Sequence, residues 1–298
     1  MSNNSVSLKA NAKINISLDI LGRRDNGYHD LETIMQSVSL HDEVFVKKID
    51  KKGIKIVSDV VWLPTDSRNI CHKVANIIFN MYGINSGLYI ELAKNIPACA
   101  GLGGGSSNAA AVIYAIKKIF DLNMDEDKML EIGGMVGADV PFCIKRGTYL
   151  ARGIGEILEK LPPLPPVYIL LAKPSEGVQT STVFRAFNMD LVEKRPNLEK
   201  IIRGLTTRNM QAIVENSANV LETVTEVRYP KITQIKDAMK KHGTLGAQMS
   251  GSGPTVFGYF SKEDQANEAM DYIRKKLGIR EICVTTPFKP KTSNPAYF

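Results

Sequence analysis

The chain has few residues with which to bind a metal or cross-link itself. Its four cysteines, Cys71, Cys99, Cys143 and Cys283, form no C-x-x-C pair in 298 residues. That pattern argues against a disulfide framework and predicts buried free thiols in a reducing compartment. Four histidines make no H-x-x-x-H pair, so a zinc site is not expected and metal ligands remain unknown. The longest apolar candidate for a membrane span, residues 167–172, is far too short to cross a bilayer and follows four prolines. The N-terminus alternates polar and apolar residues and lacks the apolar block of a signal peptide, so the cytoplasm is the expected location. Low-complexity tracts and repeats of solenoid period are lacking too.

What remains is the composition of a soluble globular protein, 44% hydrophobic and 23% charged. The length suffices for one large domain or two ordinary ones. A formal net charge of +7 suits an anionic ligand. The lysines are spread along the chain, however, and Lys47, Lys48, Lys51 and Lys52 fall on solvent faces. A basic stripe interleaved with aromatics, the footprint of a nucleic-acid module, is not apparent.

The most informative stretch runs Pro97-Ala98-Cys99-Ala100-Gly101-Leu102-Gly103-Gly104-Gly105-Ser106-Ser107-Asn108. A strand at residues 88–92 precedes it. Ala109, Val112, Ile113, Ile116 and Phe120 follow at the spacing of one helical face, predicting a helix over 107–120. Lys117 and Lys118 near its end suit the helix dipole. Strand, glycine-rich turn and helix N-terminus together form a phosphate cradle, in which free N–H groups converge on an anion. The run is neither a Walker A loop, since no Gly-Lys-Ser/Thr follows, nor a dinucleotide fingerprint, since Ser106 replaces the last glycine. A flexible turn leading into a core helix is the structural alternative.

Residues 6–20 alternate without a break and predict a half-buried strand, or two in sequence, with one wet face carrying Asn11, Lys13, Asn15, Ser17 and Asp19. Asp25-Asn26-Gly27 predicts a hairpin turn. Further strands are expected at 43–48 and 53–57, and helices at 69–82 and 125–136. The prolines at 162, 163, 165 and 166 predict a domain boundary. Beyond it a strand at 167–172, several helices within 180–227, a helix at 229–242 with Gly243 as its cap, strands at 247–249 and 255–260, a helix at 261–277 and a strand at 281–286 are expected. That order resembles a split β-α-β layout, an antiparallel sheet covered on one face.

Three other clusters have chemical potential. Lys13 on a polar strand face is ordinarily just solvated. Asp139, within Gly137-Ala138-Asp139-Val140-Pro141-Phe142, either caps a short helix starting near Pro141 or accepts the proton of an attacking hydroxyl. Ser250-Gly251-Ser252-Gly253-Pro254 is by itself a tight strand connection, and as function a second loop able to close over phosphates.

Taken together these strings resemble the GHMP kinase superfamily. Its three motifs occur in order: Ala12-Lys13-Ile14-Asn15, the run from Pro97 to Ser107, and Met249-Ser250-Gly251-Ser252-Gly253-Pro254-Thr255. The resemblance covers about residues 8–286. It implies an α+β, two-domain fold, with an N-terminal mixed α/β domain over 1–161 and a C-terminal split β-α-β (ferredoxin-like) domain over 162–298. The implied activity is ATP-dependent phosphorylation of a small alcohol, with Mg²⁺. Gly22-Arg23-Arg24-Asp25-Asn26-Gly27-Tyr28-His29, the triple glycine at 103–105 and the segment 137–142 resemble members acting on a cytidine diphosphate-linked methylerythritol, at its 2-hydroxyl, in the non-mevalonate route to isoprenoid precursors.

By that resemblance Asp139 is the catalytic base and Lys13 its partner. Residues 97–107 wrap the ATP phosphates, with Asn69 and Lys94 on the nucleotide side. Tyr28 and Phe184 stack on the cytosine, His29 reads its polar edge, and Asn15 and Thr180 help to hold the acceptor. Phe187, one helical turn from Phe184, is the alternative stacking ring. Asn108 stands where many members carry aspartate. The expected partner is thus a small molecule, not nucleic acid or membrane, with monomer or homodimer left open. The rival readings are a GHMP kinase for homoserine, mevalonate or a sugar, and a nucleic-acid-binding module.

Overall fold

The computed structural model describes residues 4–25 and 27–290. The hairpin that opens the chain organises the molecule. Strand β1 (Ser5–Arg23) pairs antiparallel with β2 (His29–Ile49) along nearly its whole length. The turn between them closes through Gly27 N–H to the Arg24 carbonyl at 2.9 Å and Arg24 N–H to the Tyr28 carbonyl at 2.8 Å. This is the expected hairpin, with Asn26 outside the described residues. On its other edge β2 pairs with β4 (Gly87–Ala93) through residues 43–49 and with β5 (Thr148–Gly153) through residues 31–36. The edges are β3 (Gly53–Ser58), parallel to β4, and β6 (Ile157–Lys160), antiparallel to β5. Helices α1 (Ile70–Met81), α2 (Gly104–Ile119), α3 (Glu126–Val136) and α4 (Val140–Lys145) complete this half.

Two expectations change here. The helix after the glycines begins at Gly104, inside the glycine run rather than at Ser107. It is also buried on nearly every side from Ser107 to Ile116, because it lies between β1 and the other helices. Small side chains at Ala109, Ala110 and Ala111 suit that close approach.

The second change concerns β1. Its polar face is not wet: Asn11, Lys13, Asn15, Ser17 and Asp19 are between 0 and 8% exposed. Alternation reports two different faces but not which of them meets water. Here the polar face is enclosed by the protein, and its groups find partners on β2, at Val38, Thr33 and Ile34, and in Asp139 and Arg195. Bulges between Asn11 and Lys13 and between Asn15 and Ser17 bracket the two residues of interest; such bulges re-aim side chains.

The second sheet holds β7 (Tyr168–Lys173), β8 (Gly246–Met249), β9 (Val256–Phe260) and β10 (Glu281–Thr285) in the order β10-β7-β9-β8, all antiparallel. Between β7 and β8 run α5 (Thr180–Ala186), a one-turn 3-10 helix at Met189–Leu191, α6 (Leu198–Thr207), α7 (Met210–Asn216), α8 (Glu222–Arg228) and α9 (Lys231–Lys241). Helix α10 (Glu263–Leu277) joins β9 to β10. This is the expected ferredoxin-like order.

One face of that sheet packs on α9 and α10, with Leu170, Val256 and Phe260 meeting Ile232, Met239 and Ile273. The other face is covered as well, a correction to the single covered face expected. Ile169, Leu171 and Phe257 share a core with Ala12, Ile14 and Ile16 of β1. The proline-rich link is also part of that core, since Leu161, Leu164 and Val167 are buried in it. Among the described residues no helix is long and apolar enough to cross a membrane.

The cysteines depart from the expected uniform burial. Cys71 and Cys143 are buried, and burial pushes the Cys71 thiol up to about 12 and raises that of Cys143. Cys283 is half-buried, and Cys99 is exposed in the glycine-rich loop.

Candidate active site

The glycine-rich loop is set by a buried carboxylate. Asp42, fully buried on β2, accepts the N–H groups of Asn95 and Ile96, each at 2.8 Å, and pairs with the Lys94 ammonium. Asn108 completes the cluster, donating Nδ2–H to Asp42 at 2.9 Å and accepting from Lys94 Nζ at 2.9 Å. The end of β4 is thereby tied to the first turns of α2. Between them Cys99, Gly101 and Gly103 take positive φ angles of 52°, 74° and 69°. Left-handed residues spaced in this way belong to turns whose N–H groups converge on an anion. Gly103 is the N-cap and offers no side-chain acceptor, so the first N–H groups of α2 stay open for a ligand.

Lys13 passes directly against that N-terminus. Its N–H donates to the Leu102 carbonyl at 2.9 Å, and a Cβ at position 103 would stand 2.9 Å from Lys13 Cγ. The Lys13 ammonium donates to Asn15 Oδ1 at 2.7 Å and lies 3.5 Å from Asp139 Oδ2. Asp139 does precede the short helix α4, as its capping alternative required, but its side chain makes no cap hydrogen bond. The carboxylate turns to Lys13 instead. Asn15 in turn donates Nδ2–H to Thr33 Oγ1 at 2.9 Å.

The second glycine loop closes on the first. Ser250 Oγ donates to the Gly101 carbonyl at 2.9 Å and receives the Asn15 N–H at 3.3 Å. A Cβ on Gly101 would collide with the Ser250 carbonyl, so the positive-φ glycine is required twice over. Two amide side chains hold this loop from behind. Asn219 Nδ2 donates to the carbonyls of Met249 and Gly251, both at 2.8 Å, and Gln248 Nε2 donates to those of Asn15 and Ile16. Thr180 at the start of α5 shares a 2.9 Å hydroxyl bond with Ser252.

At the far end the His29 ring lies 5.5 Å from Phe184, tilted by 37°, and 6.5 Å edge-on from Phe187. Burial, assisted by the nearby Arg23 charge, holds the His29 imidazole below its ordinary pKa. Tyr28 is 60% exposed at the hairpin tip. These groups surround one cleft of about 980 Å³, whose walls include Lys13, Asn15, Tyr28, His29, residues 99–106, Asp139, Thr180 and Phe184. Phe187 is not part of its wall.

Five expected site residues stand outside that wall. Ser107 is buried and gives its hydroxyl to the Asn11 carbonyl at 2.7 Å. Asn69 caps α1, accepting Cys71 N–H at 2.8 Å and donating to the Pro64 carbonyl at 2.6 Å. Lys94 is held by Asp42, and with Pro97 it borders a separate cleft on the other side of the loop. Ala98 lines neither cleft.

Residues 69–147 match the GHMP kinases N terminal domain, and residues 196–279 the GHMP kinases C terminal family. A relative from Acetivibrio thermocellus named 4-diphosphocytidyl-2-C-methyl-D-erythritol kinase is 48% identical over 88% of this chain and 92% of its own. One of the same name from Caldicellulosiruptor saccharolyticus is 44% identical over 94% and 96%. The chain belongs to the 4-diphosphocytidyl-2-C-methyl-D-erythritol kinase family of GHMP kinases. A crystal structure of a 4-(cytidine 5'-diphospho)-2C-methyl-D-erythritol kinase superposes with a TM-score of 0.82 at 30% identity, covering 95% of this chain and 100% of that one. Homoserine kinase from Cytophaga hutchinsonii, 24% identical with a TM-score of 0.74 over 97% and 96% of the two chains, shares the fold.

Against this family background, several residues of the site carry no sequence signal of their own. Thr33, Ile154, Ser181 and Arg185 line the cleft, yet they belong to no glycine run and no motif. Asp42, Asn219 and Gln248 act from outside it. Of these only Asp42 leaves a trace, as an acid amid a run of strand-forming residues. Gly251 and Ser252 lie in the tight connection between β8 and β9, and that connection is itself a wall of the cleft.

Proposed function

We propose that this cleft transfers the γ-phosphoryl group of ATP to the 2-hydroxyl of 4-diphosphocytidyl-2-C-methyl-D-erythritol. The observation that carries this reading is the Lys13–Asp139 pair, 3.5 Å apart, set against the open N-terminus of α2. The ATP tail rests on the N–H groups that open α2, where the helix dipole and the loop favour anions. The acceptor hydroxyl sits beside Asp139, which takes its proton as the new O–P bond forms and the bond to the departing ADP oxygen breaks. Lys13 holds the carboxylate in place and offers positive charge to oxygens that gain negative charge. In phosphoryl transfer positioning and charge stabilisation supply most of the catalysis.

His29 and Phe184 supply a stacking and hydrogen-bonding site for cytosine, with Tyr28 closing from the hairpin tip. Asn15 and Thr180 hold the acceptor between its two ends. Asn69 and Lys94 serve the nucleotide side indirectly, Asn69 by starting α1 and Lys94 by bracing the start of α2. The boundary between the two domains falls after Leu161. For a magnesium ion bound with the nucleotide the cleft would offer the Ser106 hydroxyl beside the open N-terminus of α2. This single hydroxyl fits a cation that takes most of its ligands from water and substrate phosphates. Bound with the nucleotide, the ion supplies neutralisation of phosphate charge.

A coupled assay of ATP consumption tests the reading. Turnover is expected with the cytidine diphosphate-linked methylerythritol and not with homoserine or mevalonate. The reverse pattern would place the chain with another acceptor.

A further inference from the structure

Two arginines line the cleft, and they differ in one respect from Arg24, Arg152 and Arg195. Arg24 gives Nε and Nη2 to Asp30 Oδ1 at 2.8 and 2.5 Å. Arg152 is shared between Glu32 and Glu159, and Arg195 is paired with Asp19. Arg23 and Arg185 line the cleft itself, and among the described residues neither has a carboxylate at ion-pair distance. Arg23 stands opposite His29 in the β1–β2 ladder. Arg185 follows Phe184 on α5, its Nε donating to the Ser181 carbonyl at 3.3 Å.

Two arginines thus line the cleft with no carboxylate of the described residues at ion-pair distance. Guanidinium forks match phosphate oxygens, and such charge-assisted bonds are among the stronger ones. The aromatic end of the cleft, at His29 and Phe184, and its reacting end, at Lys13 and Asp139, are built from different elements. A base joined to an alcohol through a diphosphate must therefore lay its anionic middle along the wall between them.

We propose that Arg23 and Arg185 form a cationic clamp for the diphosphate of the acceptor, and that the clamp sets the preference for a nucleoside-diphosphate-linked alcohol over an uncharged nucleoside. The assignment rests on the acceptor proposed above. Arg23 and Arg185 act on substrate binding, while Lys13 and Asp139 act on the transfer.

Calorimetry with cytidine 5'-diphosphate and with cytidine tests the clamp, using a non-hydrolysable ATP analogue to occupy the donor side. The wild type is expected to bind the diphosphate roughly a hundredfold more tightly than cytidine. Arg23→Gln and Arg185→Gln should each cut that ratio about tenfold, and the double variant should nearly abolish it, with cytidine affinity unchanged. The lysine variants, which keep the charge but not the fork, should fall in between. Arg203→Gln, an equal charge change outside the cleft, should leave the ratio as it was. An unchanged ratio in the double variant would overturn the clamp while leaving the cytidine site standing. Failure of the wild type to bind either ligand would instead overturn the acceptor reading, and the clamp with it.

Discussion

Lys13 Nζ and Asp139 Oδ2 lie 3.5 Å apart, with the lysine side chain only 5% exposed and the aspartate side chain 37% exposed. The pair is thus asymmetric: the ammonium is enclosed by Asn15 and the two glycine loops, while the carboxylate reaches the cleft. That is the disposition expected of a fixed cation and a proton acceptor that must meet its substrate.

Asp139→Asn should therefore reduce kcat by roughly 10²–10⁴, the span of general-base contributions. ATP affinity should remain within about twofold, because the phosphate cradle is made of backbone groups of another segment. Steady-state kinetics with calorimetry for ATP checks both halves. Wild-type turnover in this variant would remove Asp139 as the base.

The glycines of the loop are not equivalent. Gly103→Ala forces a Cβ to 2.9 Å from Lys13 Cγ at a φ of 69°, so Lys13 or the loop must shift. Such strain costs on the order of 1–3 kcal/mol, and it should appear as weaker ATP binding together with lower turnover. Gly105 lies within α2, and its added Cβ would meet only Ile70 Cγ2, at 3.7 Å. Gly105→Ala should leave stability unchanged or raise it by up to about 1 kcal/mol. Thermal unfolding and ATP titration of the two variants separate these outcomes.

Much of this was legible in the residues. The helix after Asn108 followed from apolar spacing, and the second sheet from the order of its strands and helices. Burial of the polar face of β1 did not, because Lys13 and Asn15 alternate with apolar neighbours whether that face meets water or a site. The role of Asp139 was open between cap and base for a similar reason: both place an acid before Pro141. The missing cap bond and the turn toward Lys13 set the cap aside and support the proposed base. Strands β5 and β6 and the first half of β2 are flanked by turn glycines but lack the uniform alternation that would announce them. The first half of β2 forms against β1, β5 against β2, and β6 against β5. Arg23 and Arg24 read alike in the chain, and only the position of Asp30 tells them apart.

Asp42 shows how a group outside the cleft shapes it. Its carboxylate satisfies two backbone N–H groups and the buried Lys94 at once. Asp42→Asn leaves the Lys94 charge without its counter-ion in a dry setting, at a cost of about 3–5 kcal/mol. Replacing Lys94 by Met in the same chain removes that charge and should recover part of the loss. Denaturant unfolding of the single and double variants measures the coupling. Equal stability of wild type and Asp42→Asn would show that the cluster does not brace the loop.

Phe184 and Phe187 both approach His29, but only Phe184 lines the cleft. Phe184→Ala should raise KM for the cytidine-linked acceptor by about 10-fold or more, in line with roughly 1–3 kcal/mol for a base on an aromatic ring. Phe187→Ala should chiefly lower the melting temperature, since that ring packs against the core under the second sheet, as Phe184 does, but lies outside the cleft wall. A rise in KM confined to Phe187→Ala would assign stacking to the other ring.

His29 gives the site a pH dependence of definite sign. Burial and the Arg23 charge hold its imidazole below the ordinary value of 6.5, so the folded protein keeps the ring neutral under conditions in which an exposed histidine begins to charge. A lowered histidine pKa means that the unfolded chain takes up the proton first. The fold therefore loses stability as pH falls below 6.5 and gains nothing from further rise above it. The same protonation removes the ring's acceptor nitrogen, through which it would read the base in the proposed function. KM for the cytidine-linked acceptor should accordingly be flat above 6.5 and should rise only at lower pH, once the depressed folded value is crossed. His29→Gln, which cannot titrate, should show a higher KM without that acid limb. Comparing the two pH profiles at saturating ATP decides the matter, since an acid limb that survives in His29→Gln belongs to another group.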